Sequence, residues 1–441
     1  IQALQSQAKA AQQNYVPLLE GAERLLKTQT QFMQADVFAQ KSLTGKGIRI
    51  AVFDAGFPNV DKGFAFEHIR KRNGIIACYD FVRNKENVYL SSDHGTMTLS
   101  CIAGKNGADN IGLAIDADFL LARTERSLFE PIGEEENWLM AAEWADKNGA
   151  HIINSSLGYT AHRYFQKNMD GKFALVSRAA NMAAKKGILV VNAAGNEGDE
   201  HWTIIGAPAD ADSVLTVGGI NPWTGIHTKF SSYGPTSDGR LKPNVSALAW
   251  VIAANKKNTL KEVQGTSFAS PLTAGFAACV LQEFPRIKVM DLFKKIEQSG
   301  HLYPYYDYAH GYGIPQASKA VIEQNTIPAT FITEVDNGKQ KIKILPEFFS
   351  EQNFIYSVNF SNNWDDDHDK DENYSSAVST MVLKKIPNYF YWHVSSPDGK
   401  IDTYEVLMVE NPDILQIPLQ NYIGKTLRFH YKGYTLIQKI D

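Results

Sequence analysis

With 441 residues, 44% hydrophobic and 21% charged, the chain has the composition of ordinary globular material and length enough for two cores. Its net charge of −4 gives no reason to expect nucleic acid or an anionic membrane as partner. No apolar run approaches the ~20 residues that span a bilayer, so membrane insertion is not expected. The three cysteines, Cys78, Cys101 and Cys279, cannot all pair and form no Cys-x-x-Cys or Cys/His cluster. They therefore indicate neither a disulfide framework nor a zinc site, and Cys101 and Cys279 read as buried thiols.

The chain opens at Ile1 without a signal sequence and reads as a truncated or processed form. Residues 1–40 are Gln/Ala-rich, with helical spacing at Leu18, Leu19, Ala22, Leu25 and Leu26. They suggest an N-terminal extension, either a surface helix leading into the fold or the remnant of a propeptide. From Gly47 the pattern alternates. Apolar runs at 48–53, 75–82, 118–122, 151–155, 188–194 and 213–217 read as strands buried on both faces. Helical segments at 136–148 and 173–186 lie between them, the second closed by Lys185-Lys186-Gly187. This is the pattern of an α/β fold, a parallel sheet with helices on both faces, over residues 41–325. The acidic stretch Glu130–Glu136 reads as a solvated helix start or, alternatively, as acids near a cleft.

Near residue 326 the character changes. Aromatic and β-branched runs at 354–360, 377–383, 389–394, 404–409, 413–418, 426–431 and 434–440, with a turn signal at Pro397-Asp398-Gly399-Lys400, predict a small all-β, sandwich-like C-terminal domain over 326–441. Within it the loop Trp364–Glu372 places Asp367, Asp369 and Asp371 at alternate positions. It lacks the glycine and distal glutamate of an EF-hand, and two readings stay open: a solvated charge run or a structural calcium site.

Four stretches carry chemistry. Gly265-Thr266-Ser267-Phe268-Ala269-Ser270-Pro271 places Ser267 where a loop enters an apolar helix. There the free N–H groups and the positive end of the helix dipole can hold a developing oxyanion. Pro271 reads as a first-turn proline. The run 48–53 ends in Asp54, and Asp93-His94-Gly95 opens another short helix. An acid at a strand end, a histidine at one helix start and a serine at another are the parts of a nucleophile–base–orienter relay. A strand at 188–194 then ends in the turn Ala193-Ala194-Gly195-Asn196.

In the order Asp, His, Ser, these stretches resemble the subtilases, the subtilisin-like serine endopeptidases. The segment Ser156-Leu157-Gly158 is similar to the family's substrate-pairing strand. The resemblance implies Asp54, His94 and Ser267 as a catalytic triad, Asn196 as side-chain donor to the oxyanion, and Ser156, Leu157, Gly158, Ala193, Ala194 and Gly195 as substrate-binding residues. It further implies polypeptide substrates with a broad or apolar first-pocket preference, no required cofactor or catalytic metal, a monomer, and a secreted, cell-surface or periplasmic location. Glu197, at the rim, would admit a basic side chain. The alternative is a catalytically silent binding or adhesive module on the same fold. Many subtilases carry Ser or Thr after the catalytic Asp and a second His three residues after the first; here these are Ala55 and Met97. Asp93, beside His94, adds a negative charge that would raise the imidazole pKa.

Overall fold

The computed structural model describes residues 16–18, 20–126, 133–322, 327–349 and 387–441. Strands β1 (Arg49–Asp54), β2 (Ile75–Asp80), β3 (Asp118–Arg123), β4 (Ile152–Ser155), β5 (Leu189–Ala193), β6 (Val214–Ile220) and β7 (Val245–Leu248) form one sheet in the order β2-β3-β1-β4-β5-β6-β7, every pair parallel. Six of the seven begin within a residue or two of the runs read from sequence. β7, only four residues long, was not among them. Strand order reverses around β1, and in open α/β sheets the crevice at such a reversal, beyond the carboxyl ends of the strands, is where ligands bind.

Alternation along β1 divides its side chains between two cores. Ile50 and Val52 meet Leu99 and Ile102, and on the same side lie Leu272 and Phe276. Ala51 and Phe53 join a second cluster with Trp138 and Ala180. Helices α1 (Glu20–Gln29), α2 (His94–Ala103), α3 (Gly133–Lys147), α4 (Leu175–Lys185) and α5 (Thr266–Glu283) flank the sheet. Helices α1, α2 and α5 thus cover one face of the sheet, and α3 and α4 the other. Helix α1 is fastened by Gln29, fully buried, whose amide donates to Ile111 O (2.7 Å) and accepts from Ile252 N (2.9 Å). Ile252 belongs to a hairpin, β8 (Trp250–Ala254) and β9 (Leu260–Gln264), that leads directly into α5. Among the described residues no helix is long and apolar enough to cross a membrane.

The tail is all-β. Strands β10 (Phe331–Asp336), β11 (Lys339–Ile344) and β14 (Asp413–Pro418) make one antiparallel sheet in the order β10-β11-β14. Strands β12 (Tyr389–Ser395), β13 (Ile401–Met408), β15 (Thr426–Tyr431) and β16 (Tyr434–Lys439) make another, in the order β13-β12-β15-β16. Phe331, Ile342 and Ile344 from the first share one core with Phe390, Trp392, Leu427 and Phe429 from the second. The hairpin β10–β11 turns on Asn337-Gly338, both at positive φ (51° and 72°), as a two-residue primed turn requires. The runs at 354–360 and 377–383 and the loop carrying Asp367, Asp369 and Asp371 lie outside the described residues.

The tail sits on the segment 301–312. Tyr306 Oη donates to Gly399 O (3.1 Å), Arg428 donates to Tyr306 Oη (3.2 Å), and Ile401 N donates to Tyr308 Oη (3.2 Å). Leu302, Tyr305 and Tyr391 form an apolar cluster there.

Candidate active site

Asp54 ends β1, and His94 opens α2. Helix α2 presses close because residue 95 is glycine. A Cβ there would strike Gly56 O and lie 2.9 Å from Asp54 Cβ. His94 Nδ1 donates to Asp54 Oδ1 at 2.9 Å, and Ala55 N donates to the same oxygen at 2.8 Å. The other oxygen, Oδ2, accepts from Thr98 Oγ1 at 3.1 Å. The carboxylate is 1% exposed, so it is held entirely by protein donors. Burial pulls the His94 pKa down, but the charge and hydrogen bond of Asp54, with Glu125 and Asp93 behind, outweigh it and hold the ring at about 9.

Ser267 is the second residue of α5. Its N–H is among the first four of the helix, which have no intrahelical acceptor. Gly265, at φ 138°, makes the turn into the helix. The Ser267 hydroxyl donates to Ser156 O (3.3 Å) rather than to His94, while the ring of Phe268 lies 5.7 Å from the imidazole. Helix α5 starts at Thr266, so Pro271 falls in its second turn, not its first. A proline there leaves the carbonyl four residues back, that of Ser267, without its backbone donor. Ser156 Oγ supplies the missing bond at 2.9 Å. Ser156 is itself steadied by Asn154 Nδ2 (3.2 Å), whose Oδ1 accepts from Ser270 (2.9 Å).

Asn196 follows β5 in an exposed turn. Its Oδ1 accepts from Thr266 N (2.9 Å) and lies 3.0 Å from Thr266 Oγ1, which leaves Nδ2 as the amide's open donor beside the start of α5. Ala193 and Ala194 are buried; Gly195, at φ 112°, passes so close to Glu197 and Ser232 that a Cβ would collide with both side chains. Leu157 O is turned inward onto Asn192 Nδ2 (3.0 Å). The Ser156 carbonyl instead accepts from the Ser267 hydroxyl.

The acids expected in solution or at the rim behave differently. Glu134 and Glu135 are buried in the first turn of α3, because the segment 159–176 covers it. Glu134 accepts from Arg126 N (2.7 Å), and Glu135 accepts from Arg163 (3.0 Å) and Val176 N (3.0 Å). Only Glu136 of the three is exposed, and Glu130 lies outside the described residues. The Glu197 carboxylate accepts from Ser232 Oγ (2.8 Å), and burial pushes its pKa up. Cys101 and Cys279 are fully buried thiols; burial pushes Cys101 up to about 12.

Sequence reasoning passed over Thr98, Thr266 and Asn154, each of which holds one of the expected residues, and Ser270, which holds Asn154. It also passed over Glu125, whose carboxylate shares a 4.8 Å neighbourhood with Asp54 and His94. For Thr98 the signal was present, one turn after His94 on the same helix face. Among the described residues Asp54, His94 and Glu125 are the sole trio of metal-ligating types, and it includes the Asp54–His94 pair itself.

A model of the subtilase family (peptidase S8) matches residues 45–313. Alkaline elastase YaB of Bacillus sp. (strain YaB) is 30% identical over 254 residues, 57% of this chain and 59% of the elastase. The chain thus spans about three fifths of that relative. Subtilisin DY of Bacillus licheniformis is 27% identical over 269 residues, 60% of this chain and 88% of the subtilisin. Among solved structures, MycP1 from the ESX-1 type VII secretion system matches with a TM-score of 0.54 at 22% identity, covering 71% of this chain and 90% of that one. MycP1 with its N-terminal propeptide removed matches at 0.53 and 24% identity, covering 67% and 97%. These likenesses in shape concern the fold.

Proposed function

The chain belongs to the subtilase family, and we propose that it is a serine endopeptidase acting through an acyl-enzyme, with Ser267 as nucleophile, His94 as base, Asp54 as orienting carboxylate and Asn196 as oxyanion donor. The observation that carries this reading is the 2.9 Å Asp54–His94 bond at the carboxyl end of β1, beside a serine at a helix N-terminus. In this mechanism the Ser267 hydroxyl leaves Ser156 O, which it meets at 3.3 Å in the resting chain, for the second nitrogen of His94. His94 removes the proton as Oγ attacks the peptide carbonyl and returns it to the leaving amine. Asp54 keeps the proton on Nδ1 and stabilises the imidazolium. Asn196 Nδ2 and Ser267 N hold the tetrahedral oxyanion. Water then repeats the sequence on the ester. Every step uses side chains and backbone of this chain, so the reaction needs no cofactor.

The substrate is an extended polypeptide added as a strand along Ser156-Leu157-Gly158, its backbone meeting the Ser156 carbonyl and the Gly158 amide. Ala193, Ala194 and Gly195 supply small walls, which suit a medium or large apolar side chain in the first pocket. Because Glu197 is tied to Ser232, it favours this apolar preference over a basic one. A fluorophosphonate should label the wild-type chain at Ser267 and leave Ser267→Ala unlabelled, folded and unable to cleave casein. Casein cleavage by Ser267→Ala at the wild-type rate would sink the assignment.

A further inference from the structure

We propose that Thr98 is the positioning residue of the relay, fixing the Asp54 carboxylate in the plane that aims Oδ1 at His94. The inference rests on the endopeptidase reading for its consequence in catalysis, but its geometry stands on four observations. Asp54 is buried, and Oδ1 already takes two bonds, from Ala55 N and His94 Nδ1. Both of those bonds fall on one oxygen and neither holds Oδ2. The residue after Asp54 is alanine and has no hydroxyl to give. Among the described residues Thr98 alone donates a hydrogen bond to Oδ2, at 3.1 Å, from a fully buried side chain.

The Thr98 hydroxyl also lies 3.1 Å from Gly95 O, its own helix carbonyl three residues back. A hydroxyl has one proton, and a charged acceptor makes roughly twice as strong a bond as a neutral one, so the proton goes to Asp54. Thr98 and His94 stand one turn apart on α2, so the same rigid element that presents the base also orients the acid that directs it. Any shift of α2 moves both together and preserves their mutual geometry. A β-branched residue suits this task because its χ1 is stiff in a helix.

Thr98→Val keeps the shape and removes the donor. It should lower kcat about ten- to a hundredfold, the loss typical of one hydrogen bond to a charged group, with KM within twofold. Thr98→Ser, which keeps the hydroxyl, should restore kcat to within about threefold of wild type. In the resting protein, the low-field proton resonance of His94 Nδ1 should shift or broaden in Thr98→Val and return in Thr98→Ser. That resonance needs no turnover. A wild-type chain that cleaves nothing would overturn the endopeptidase reading, while the resonance would still decide the role of Thr98. Should Thr98→Val fail to fold, Thr98→Ala read against Thr98→Ser gives the same comparison. An unmoved resonance, unchanged kcat in Thr98→Val, or equal losses in the serine and valine variants would overturn the proposal.

Discussion

Among the described residues, two Asp–His pairs with buried carboxylates look alike at first contact and differ in one nitrogen. In the cleft, His94 Nδ1 meets Asp54 at 2.9 Å; beneath the tail, His310 Nδ1 meets Asp307 at 3.0 Å. The His310 side chain is 4% exposed, and its Nε2 accepts the backbone N–H of His227 at 3.0 Å. Asp307 further accepts from Tyr305 Oη (3.1 Å) and Ala309 N (2.9 Å). The side-chain polar atoms of this second pair are thus consumed in holding the loop 305–311 together and in tying it to His227. The His94 side chain is 28% exposed, and its Nε2 has no hydrogen-bond partner among the described residues. An Asp–His pair is therefore not chemistry by itself. It becomes a base only where the far nitrogen faces a place from which a proton can come.

The comparison breaks most directly on the two carboxylates. Asp54→Asn should lower kcat about 10⁴-fold through the wrong imidazole tautomer. Asp307→Asn should leave kcat within a few-fold and destabilise the chain by roughly 3–5 kcal/mol, the cost of breaking a buried pair. Peptide kinetics and urea unfolding on both variants would read this; interchanged effects would show that the pairs had been assigned backwards. Asn196→Leu, nearly equal in volume, should cost about a hundred- to thousandfold in kcat with little change in KM. A rise in KM at constant kcat would instead make Asn196 a substrate-positioning residue.

The pH dependence sharpens the contrast. His94 acts as a base only when unprotonated, and its pKa is held at about 9. Activity should therefore climb about tenfold per unit from pH 7 and level off near 9. A plateau already reached at pH 7 would contradict the carboxylate-dominated surroundings of the ring. His227, His301 and His393, at and around the tail junction, are displaced the other way. Burial lowers His301 and His227 to about 3 and His393 to about 4. In the unfolded chain each titrates near 6.5, so as the pH falls from about 6.5 toward 4 the unfolded state takes up protons that the folded one refuses. Their contribution to stability is complete above that window and is lost within it. The smallest expected effect follows: a melting temperature lower at pH 5 than at pH 7, with the difference reduced in His393→Gln. Equal drops in wild type and variant would remove His393 from the account.

The path from sequence to site ran through local patterns and stopped where tertiary contacts began. The two-faced apolar runs located six strands of the sheet, and the four side chains proposed as catalytic lie at or just beyond strand and helix ends, where such folds bind ligands. β7 escaped because Ser246 interrupts Val245-Ser246-Ala247-Leu248 as an apolar run. The hairpin β10–β11 was missed although Asn337-Gly338 is a strong two-residue turn signal; its flanking strands are rich in lysine and glutamate and lack the expected aromatic character. Glu134 and Glu135 looked solvated because nothing local announces that Arg163 folds back across α3. Thr98, likewise, is an unremarkable helix threonine until β1 is laid against it.

Pro271 leaves a last consequence. By depriving Ser267 O of its donor, it makes the helix borrow one from Ser156, a residue of the strand edge along which a peptide would lie. The nucleophile and the docking edge are therefore mechanically one part: a force that drags the edge outward drags the serine with it. A loosely seated peptide would pull the attacking oxygen out of line, whereas a well-seated one would leave it in place. On the proposed mechanism, fidelity of seating would in this way be converted into rate.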